Sequence, residues 1–119
     1  MNKKELLRLK RHRRIRMRMQ GTKDKPRLVI KRSLSNLSAQ IIDDTENRVL
    51  FALTTSNKDL KQKSGNSGNI KAAELFGLTF SKLAKEKGIS KIIFDRAGYL
   101  YHGRIKAFAE SLRKGGMEF

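Results

Sequence analysis

Short apolar runs separated by polar turns follow residue 26. Arg27–Arg32 is rich in β-branched and other apolar residues, as is typical of a strand inside a sheet. Alternating apolar positions predict a second strand over Leu37–Ile42, and Arg48–Thr54 predicts a third. The polar connections at residues 33–36 and 43–47 are too short for a crossover. We therefore expect the three strands to form an antiparallel meander.

Apolar residues at intervals of three and four mark the second half of the chain. They predict an amphipathic helix over Asn69–Lys87, with Asn69 as its N-cap and Gly88 just beyond its end. A fourth strand is expected over Lys91–Phe94, and a second helix over His102–Lys114. A strand–helix–strand unit makes a right-handed crossover, so the fourth strand should run parallel to a neighbour. The order β-β-β-α-β-α predicts an α/β fold in which two helices pack on a mixed four-stranded sheet.

Residues 1–26 are a basic arm that differs from the single globular domain expected over residues 27–119. Residues 1–27 hold twelve lysines and arginines against Glu5 and Asp24. The apolar residues of the arm share no helical face, because cations separate them in every register. Repulsion among the cations predicts a flexible arm, extended or only partly helical when free. A solvated tail is the alternative, but the density of arginines favours an arm that binds a polyanion.

Composition narrows the functional classes. The 119 residues include 28 Lys and Arg against 11 Asp and Glu, which gives a formal net charge of +17. A chain of this length forms one domain, with no cleft between two lobes. The lack of cysteine excludes disulfides and thiolate metal sites, and two histidines offer little for zinc. No apolar segment matches a signal peptide or a bilayer span, so a soluble, intracellular, cationic protein is expected.

Candidates for catalysis are sparse. His102 could act as a general base together with Asp95, but no nucleophile or metal partner accompanies them. The acids within residues 43–46 could hold a divalent cation, although acids in a hairpin more often form hydrogen bonds within the turn. Residues 65–68 have the GxxG spacing of a nucleic-acid clamp, a spacing that also arises by chance. We therefore expect that the protein is not an enzyme and that it binds no cofactor or metal ion.

The segment Phe94–Arg104 combines two arginines, two tyrosines and a histidine with two glycines. Aromatic rings stack on bases, arginines bind phosphates, and glycines let a ligand approach the backbone closely. Arg104 is expected in the first turn of a helix, where the helix dipole normally favours an acidic side chain. A cation at this position indicates a site for an anion. The alternative is that Tyr99 and Tyr101 cover the sheet edge, since an extended segment would place both on one face.

Several motifs together resemble those of a known family. They are Phe94–Arg104, the ending Leu112–Phe119, Pro26–Leu28, Arg32–Ser33 with Asn36 and Ala39–Gln40, and Asn69 with Ala72–Ala73. With these motifs the chain resembles, from end to end, the bacterial-type protein eighteen of the large ribosomal subunit, a family that binds 5S rRNA. Ala97 departs from the family pattern, in which glycine is frequent at this position.

The resemblance implies a structural protein that binds 5S rRNA and helps attach it to 23S rRNA in the central protuberance. It implies a cytoplasmic location in the large subunit, no membrane, and a monomer working beside the other 5S-binding ribosomal proteins. The expected RNA-binding residues of the arm are Lys3, Lys4, Arg8, Lys10, Arg11, His12, Arg13, Arg14, Arg16 and Arg18. Those expected in the body are Arg27, Arg32, Ser33, Asn36, Gln40, Arg96, Tyr99, Tyr101, His102 and Arg104.

Two rival classes stay open at this point. A nuclease could use the same basic body, but it needs clustered carboxylates for a metal ion, and the acids here fall mainly in turns and on helix surfaces. A protein of the membrane surface could use the arm, but the arm has no apolar stripe to enter the interface.

Overall fold

The computed structural model describes residues 2–56 and 69–119. Its strands are β1 (Arg27–Arg32), β2 (Leu37–Asp43), β3 (Arg48–Thr54) and β4 (Ile93–Asp95), and its helices are α1 (Lys3–Arg16), α2 (Ile70–Glu86) and α3 (Arg104–Lys114). The strands form one sheet in the order β3-β2-β1-β4. β1, β2 and β3 pair antiparallel, and β4 is parallel to β1. The predicted α/β fold with a mixed four-stranded sheet is confirmed. The GxxG at residues 65–68 lies outside the described residues.

The core lies on the sheet face that packs against α2 and α3. β1 places Leu28 and Ile30 on this face, and both are almost completely buried. The rings of Phe76 and Phe108 stack with their centroids 5.0 Å apart, and Phe80 meets both rings edge-on. Since α2 contributes two of these rings and α3 the third, the aromatic cluster fixes the two helices to each other and to the sheet.

The predicted ends of α2 are confirmed. The Asn69 side chain accepts a hydrogen bond from the amide of Ala72 across 2.7 Å. At the other end Gly88 has a φ of 82°, and the next amide, that of Ile89, donates to the carbonyl of Ala84. This pairing is a Schellman motif, in which glycine takes the left-handed conformation that stops a helix.

Two elements, β4 and α3, begin two residues later than predicted. β4 covers Ile93–Asp95 rather than Lys91–Phe94, because Lys91 forms an isolated bridge with Glu118 instead of pairing with β1. α3 begins at Arg104 rather than His102, because Gly103 has a φ of 58° and interrupts helical geometry.

The arm contains the helix α1 over Lys3–Arg16, and residues 17–26 are not helical, so the arm is partly helical, one of the two forms expected for it. α1 has no buried residue, in agreement with its lack of an apolar face. Residue type and charge explain the helix instead, since Lys, Arg, Leu and Glu all favour helical geometry. Asn2 caps the helix by accepting a hydrogen bond from the amide of Glu5 across 2.8 Å. Glu5 lies at the positive end of the helix dipole, and Arg13, Arg14 and Arg16 lie at its negative end.

Candidate nucleic-acid interface

Polar contacts hold α1 against residues 95–99. Arg8 Nη1 donates to the Ala97 carbonyl across 2.8 Å, and Arg11 Nε donates to the Gly98 carbonyl across 3.0 Å. His12 Nε2 lies 3.1 Å from Asp95 Oδ2. Residues three and four apart share one face of a helix, so these contacts fix the rotation of α1 on the body. The sequence suggested His102 as a partner of Asp95, whereas the structure pairs Asp95 with His12 of the arm.

A glycine at position 98 is needed for this close approach. Gly98 has a φ of 82°, and a Cβ built there would collide with the main-chain oxygen of Arg8 and lie 3.0 Å from the His12 nitrogen. Ala97, where the resembled family often has glycine, also adopts a positive φ, of 55°. Two successive left-handed residues turn both carbonyls toward the helix, where the arginines bind them.

Arg27 lies at the centre of a buried ion network. Its Nη1 is 2.8 Å from Asp95 Oδ2, and its Nε and Nη2 lie 3.0 and 3.1 Å from the carboxylate oxygens of Asp44. Burial lowers the pKa of Arg27, but the hydrogen bonds with Asp44 and Asp95 outweigh this effect and raise the pKa. The resemblance implied that Arg27 contacts RNA. The structure places its side chain inside, 8% exposed, with carboxylates on both sides.

The acids at the β2–β3 turn have structural partners. Asp43 accepts hydrogen bonds from the amide and hydroxyl of Thr45, which is the turn role expected for it. Asp44 instead accepts from the Gly21 amide across 2.7 Å and lies 3.4 Å from Arg16 Nη1, so it ties the end of the arm to the sheet. Within residues 2–56 and 69–119, no three His, Cys, Asp or Glu residues are grouped to hold a metal ion.

The two tyrosines of the predicted interface lie in different environments. Tyr99 is buried, with the guanidinium of Arg8 at 4.6 Å and that of Arg32 at 4.9 Å from the centroid of its ring. Its hydroxyl accepts from the Arg32 amide and donates to the Arg32 carbonyl, at 3.3 and 3.4 Å. Tyr101 is 42% exposed. The segment is a turn rather than an extended strand, so only Tyr101 presents its ring to a ligand.

Arg104 borders a groove that is lined by cations. Its Nη2 donates to the Ser33 carbonyl across 2.7 Å, whereas its Nη1 is the one buried side-chain nitrogen without a partner in the described part of the chain. Burial and the nearby charge of Arg32 lower its pKa. Lys71 and His102 also line the groove. The groove therefore concentrates positive charge around Arg104.

Ser33 and Asn36 form the turn between β1 and β2. Ser33 Oγ accepts from the Asn36 amide across 3.1 Å, and Asn36 Oδ1 accepts from Thr55 Oγ1 at the same distance. These bonds hold the turn beside Arg32 and Arg104, so the two polar residues shape the cationic groove.

A second groove lies between α1 and the open face of the sheet. Arg8 and His12 line it from the helix, and Val29, Lys31 and Gln40 line it from β1 and β2. Gln40 is exposed there. Lys31 lines this groove and Lys71 lines the other, and neither is among the contact residues predicted from the sequence. A single lysine on a strand or helix gives no pattern that would mark it.

The predicted site residues thus fall into three groups by exposure. The exposed ones are Lys3, Lys4, Lys10, Arg11, Arg13, Arg14, Arg18, Arg32, Ser33, Gln40, Tyr101 and His102. Arg8, His12, Arg16, Asn36, Arg96 and Arg104 are half-buried, and Arg27 and Tyr99 are buried. In the same described residues, no helix is long and apolar enough to cross a membrane.

Comparison with known proteins gives a consistent result. The family described as ribosomal L18 of archaea, bacteria, mitochondria and chloroplasts matches residues 2–119. Large ribosomal subunit protein uL18 of Mycoplasmopsis pulmonis is 52% identical over 105 residues, which cover 88% of this chain and 86% of the relative. The uL18 proteins of Desulforamulus reducens and Dictyoglomus turgidum are each 47% identical, over 98% and 99% of this chain and 95% and 96% of their own lengths. The chain therefore belongs to the ribosomal L18 family and is a structural protein of the large ribosomal subunit, not an enzyme.

Proposed function

We propose that this protein binds 5S rRNA and helps attach it to 23S rRNA in the central protuberance. It acts there as a monomer beside the other 5S-binding ribosomal proteins. Membership of the ribosomal L18 family is the starting point, and the resemblance described above supplies the RNA partners.

The observation that carries the proposal is the separation of charge around the arm. Asp44 and Asp95 face inward and bind Arg27, whereas Lys10, Arg13 and Arg14 face outward from α1. Because these acids face inward and are paired with Arg27, they do not repel a polyanion that approaches the outer side of α1. The outer surface therefore carries mobile counterions, and their release on binding phosphates supplies affinity that falls with salt.

Two features of the body complement the charged helix. The grooves beside α1 and beside Arg104 are concave and lined by cations. They can therefore accept the phosphate backbone of folded RNA. The exposed rings of Tyr101 and His102 can stack on unpaired bases. Recognition of RNA by shape, loops and stacking uses these elements, because the major groove of an RNA helix is too narrow for side chains to read.

A competition experiment tests the proposal. The purified protein is titrated with labelled 5S rRNA in a gel-shift assay at two salt concentrations, with transfer RNA as competitor. We expect the 5S complex to survive excess transfer RNA at the higher salt, and added 23S rRNA to join it. If transfer RNA displaces labelled 5S rRNA as well as unlabelled 5S rRNA does, the binding is only nonspecific charge attraction. That result would contradict the proposal.

A further inference from the structure

We propose that the groove between α1 and the open face of the sheet takes one unpaired base of the bound RNA, and that Gln40 on the floor of the groove binds the Watson–Crick edge of this base. The inference rests on the function proposed above and names the ligand of this groove. The side chains that carry it belong to β1 and β2. The groove has a volume of about 410 Å³, within the range of roughly 300–1,000 Å³ that is usual for pockets that bind small ligands.

Four side chains form the floor of the groove, two from each strand. In the antiparallel register of β1 and β2, Lys31 lies opposite Ser38 and Val29 lies opposite Gln40. Positions two apart on a strand share one face of the sheet, so all four side chains lie on the face opposite the core. Val29 and Ser38 are half-buried, whereas Lys31 and Gln40 are exposed. The floor thus presents an ammonium, a hydroxyl and an amide around one apolar side chain.

The polar groups of the floor are free to bind a ligand. Within residues 2–56 and 69–119, the side chains of Lys31, Ser38 and Gln40 form no hydrogen bond and no ion pair. The basic residues in the wall of the groove differ in this respect, since Arg8 and His12 are both engaged by carboxylates of the protein. Unused hydrogen-bonding capacity in the groove is therefore concentrated on the two strands.

The chemistry of these free groups suits a base better than a phosphate. A side-chain amide offers a donor and an acceptor side by side, which matches the neighbouring donor and acceptor on the Watson–Crick edge of every RNA base. The hydroxyl of Ser38 can donate or accept beside it. Leu9, Val29 and Ala97 line the groove with apolar surface for the plane of the ring. Lys31 is the free cation of the floor and can hold the phosphate next to the inserted base.

The base that enters comes from a loop, a bulge or an end of the RNA. A base within a stem uses its Watson–Crick edge for pairing, so Gln40 could bind it only after the pair is broken. Extruding a base costs least where the base is already unpaired. Recognition of single-stranded loops and bulges through splayed-out bases is also the usual way in which proteins read RNA sequence. The groove therefore selects a particular unpaired nucleotide, a task that charge attraction cannot perform.

Chemical probing of the RNA tests the inference. The complex of 5S rRNA with the full-length protein is treated with dimethyl sulfate and a carbodiimide, which together modify the Watson–Crick edges of unpaired bases. We expect the wild type to protect one unpaired base that Gln40→Leu leaves reactive. Gln40→Leu should also weaken binding by at least about fivefold, with an unchanged salt slope because no charge is lost. Gln20→Leu, at an exposed position outside the groove, is the matched control and should keep the protection and the affinity.

A second variant fills the groove and leaves Gln40 in place. Ser38→Phe puts a ring on the floor, whereas Ser90→Phe puts the same ring at an exposed position outside the groove. We expect Ser38→Phe to uncover the same base as Gln40→Leu does, and Ser90→Phe to leave it protected. Urea unfolding of the free variants checks the fold. If Ser38→Phe does not fold, Gln40→Leu still decides the question, because it changes an exposed side chain.

The outcomes separate this inference from the proposed function. If 5S rRNA is preferred over transfer RNA but Gln40→Leu uncovers no base, the function stands and the inference is overturned. Continued protection of the base in a folded Ser38→Phe would overturn it as well. If 5S rRNA is not preferred, the proposed function fails, and the same probing of the transfer RNA complex decides whether an unpaired base enters the groove.

Discussion

Arg27 and Asp95 form a diagonal pair across the two parallel strands β1 and β4. Asp95 lies beside Val29 in the register of the strands, two residues beyond Arg27, so both side chains share the face opposite the core. The guanidinium and carboxylate are 2.8 Å apart, and Asp95 is completely buried. Because His12 of α1 contacts the same carboxylate oxygen, one acid joins the arm to the sheet.

Removing the cation of this pair should destabilise the fold. Arg27→Met leaves the buried Asp95 and the half-buried Asp44 without their main partner, and breaking a buried ion pair on one side costs about 3–5 kcal/mol. Urea unfolding followed by circular dichroism measures the change. The matched control is Arg48→Met at an exposed position of β3, with an expected effect within about 0.5 kcal/mol. A loss below about 1 kcal/mol in Arg27→Met would contradict a structural role for the network.

Asp44 should make stability depend on pH in the acid range. The hydrogen bonds from Arg27 lower its pKa below the ordinary 3.8, burial opposes this effect, and the Gly21 amide lowers the pKa further. An acid with a lowered pKa stabilises the fold above its ordinary pKa, and this contribution is lost as the pH falls through the lowered value. The free energy of unfolding, measured from pH 6 to pH 2.5, should therefore fall below about pH 4.

Asp44→Asn removes this titration. The variant should be less stable than the wild type at pH 6, and the difference should shrink toward pH 2.5. Asp24→Asn, at an exposed position, is the control and should follow the wild-type curve. A constant difference between Asp44→Asn and the wild type at all pH values would exclude Asp44 as the source of the dependence.

The outward cations of α1 should set the salt dependence of RNA binding. Replacing Arg13 and Arg14 together by alanine should weaken 5S rRNA binding and reduce the salt slope by about 0.7–0.9 for each lost phosphate contact. Replacing Lys82 and Lys106 by alanine removes the same charge from exposed positions of α2 and α3. That control should leave the slope unchanged. Equal reductions in both double variants would attribute binding to net charge alone.

Tyr101 and Tyr99 should respond differently to truncation. The exposed ring of Tyr101 is free to stack, so Tyr101→Ala should cost about 1–3 kcal/mol of binding free energy with little change in salt slope or stability. Tyr99→Ala should instead lower the free energy of unfolding, because its ring packs between Arg8 and Arg32. Loss of stability in Tyr101→Ala, seen by thermal unfolding, would support the alternative that Tyr101 only covers the sheet edge.

Hydrophobic periodicity predicted the sheet and the two helices that cover it. The bounds of β1 and β3 agree with the prediction, because alternation and β-branched runs report burial directly. Asn69 and Gly88 marked both ends of α2, since caps depend on local chemistry. Elements that bury an apolar face are thus readable from sequence.

The docking of the arm could not be read in this way. It depends on arginine side chains that bind carbonyls of Ala97 and Gly98, and main-chain carbonyls leave no signal in a residue pattern. Arg27 looked like Arg32 at the sequence level, yet one is buried with two acids and the other is exposed. Which arginine is buried and which stays exposed is decided by distant residues such as Asp44 and Asp95, which only the fold brings near.

Lysine footprinting tests the central claim most directly. The free protein and its 5S rRNA complex are reductively methylated, and each lysine is quantified by mass spectrometry. We predict that 5S rRNA protects Lys10 at its exposed position on α1, together with Lys31 and Lys71 in the two grooves, while Lys82 and Lys106 stay reactive. At the higher of the two salt concentrations used in the gel-shift assay, the same concentration of transfer RNA should protect none of these lysines. Uniform protection of all five lysines, or protection confined to Lys82 and Lys106, would contradict the interface described here.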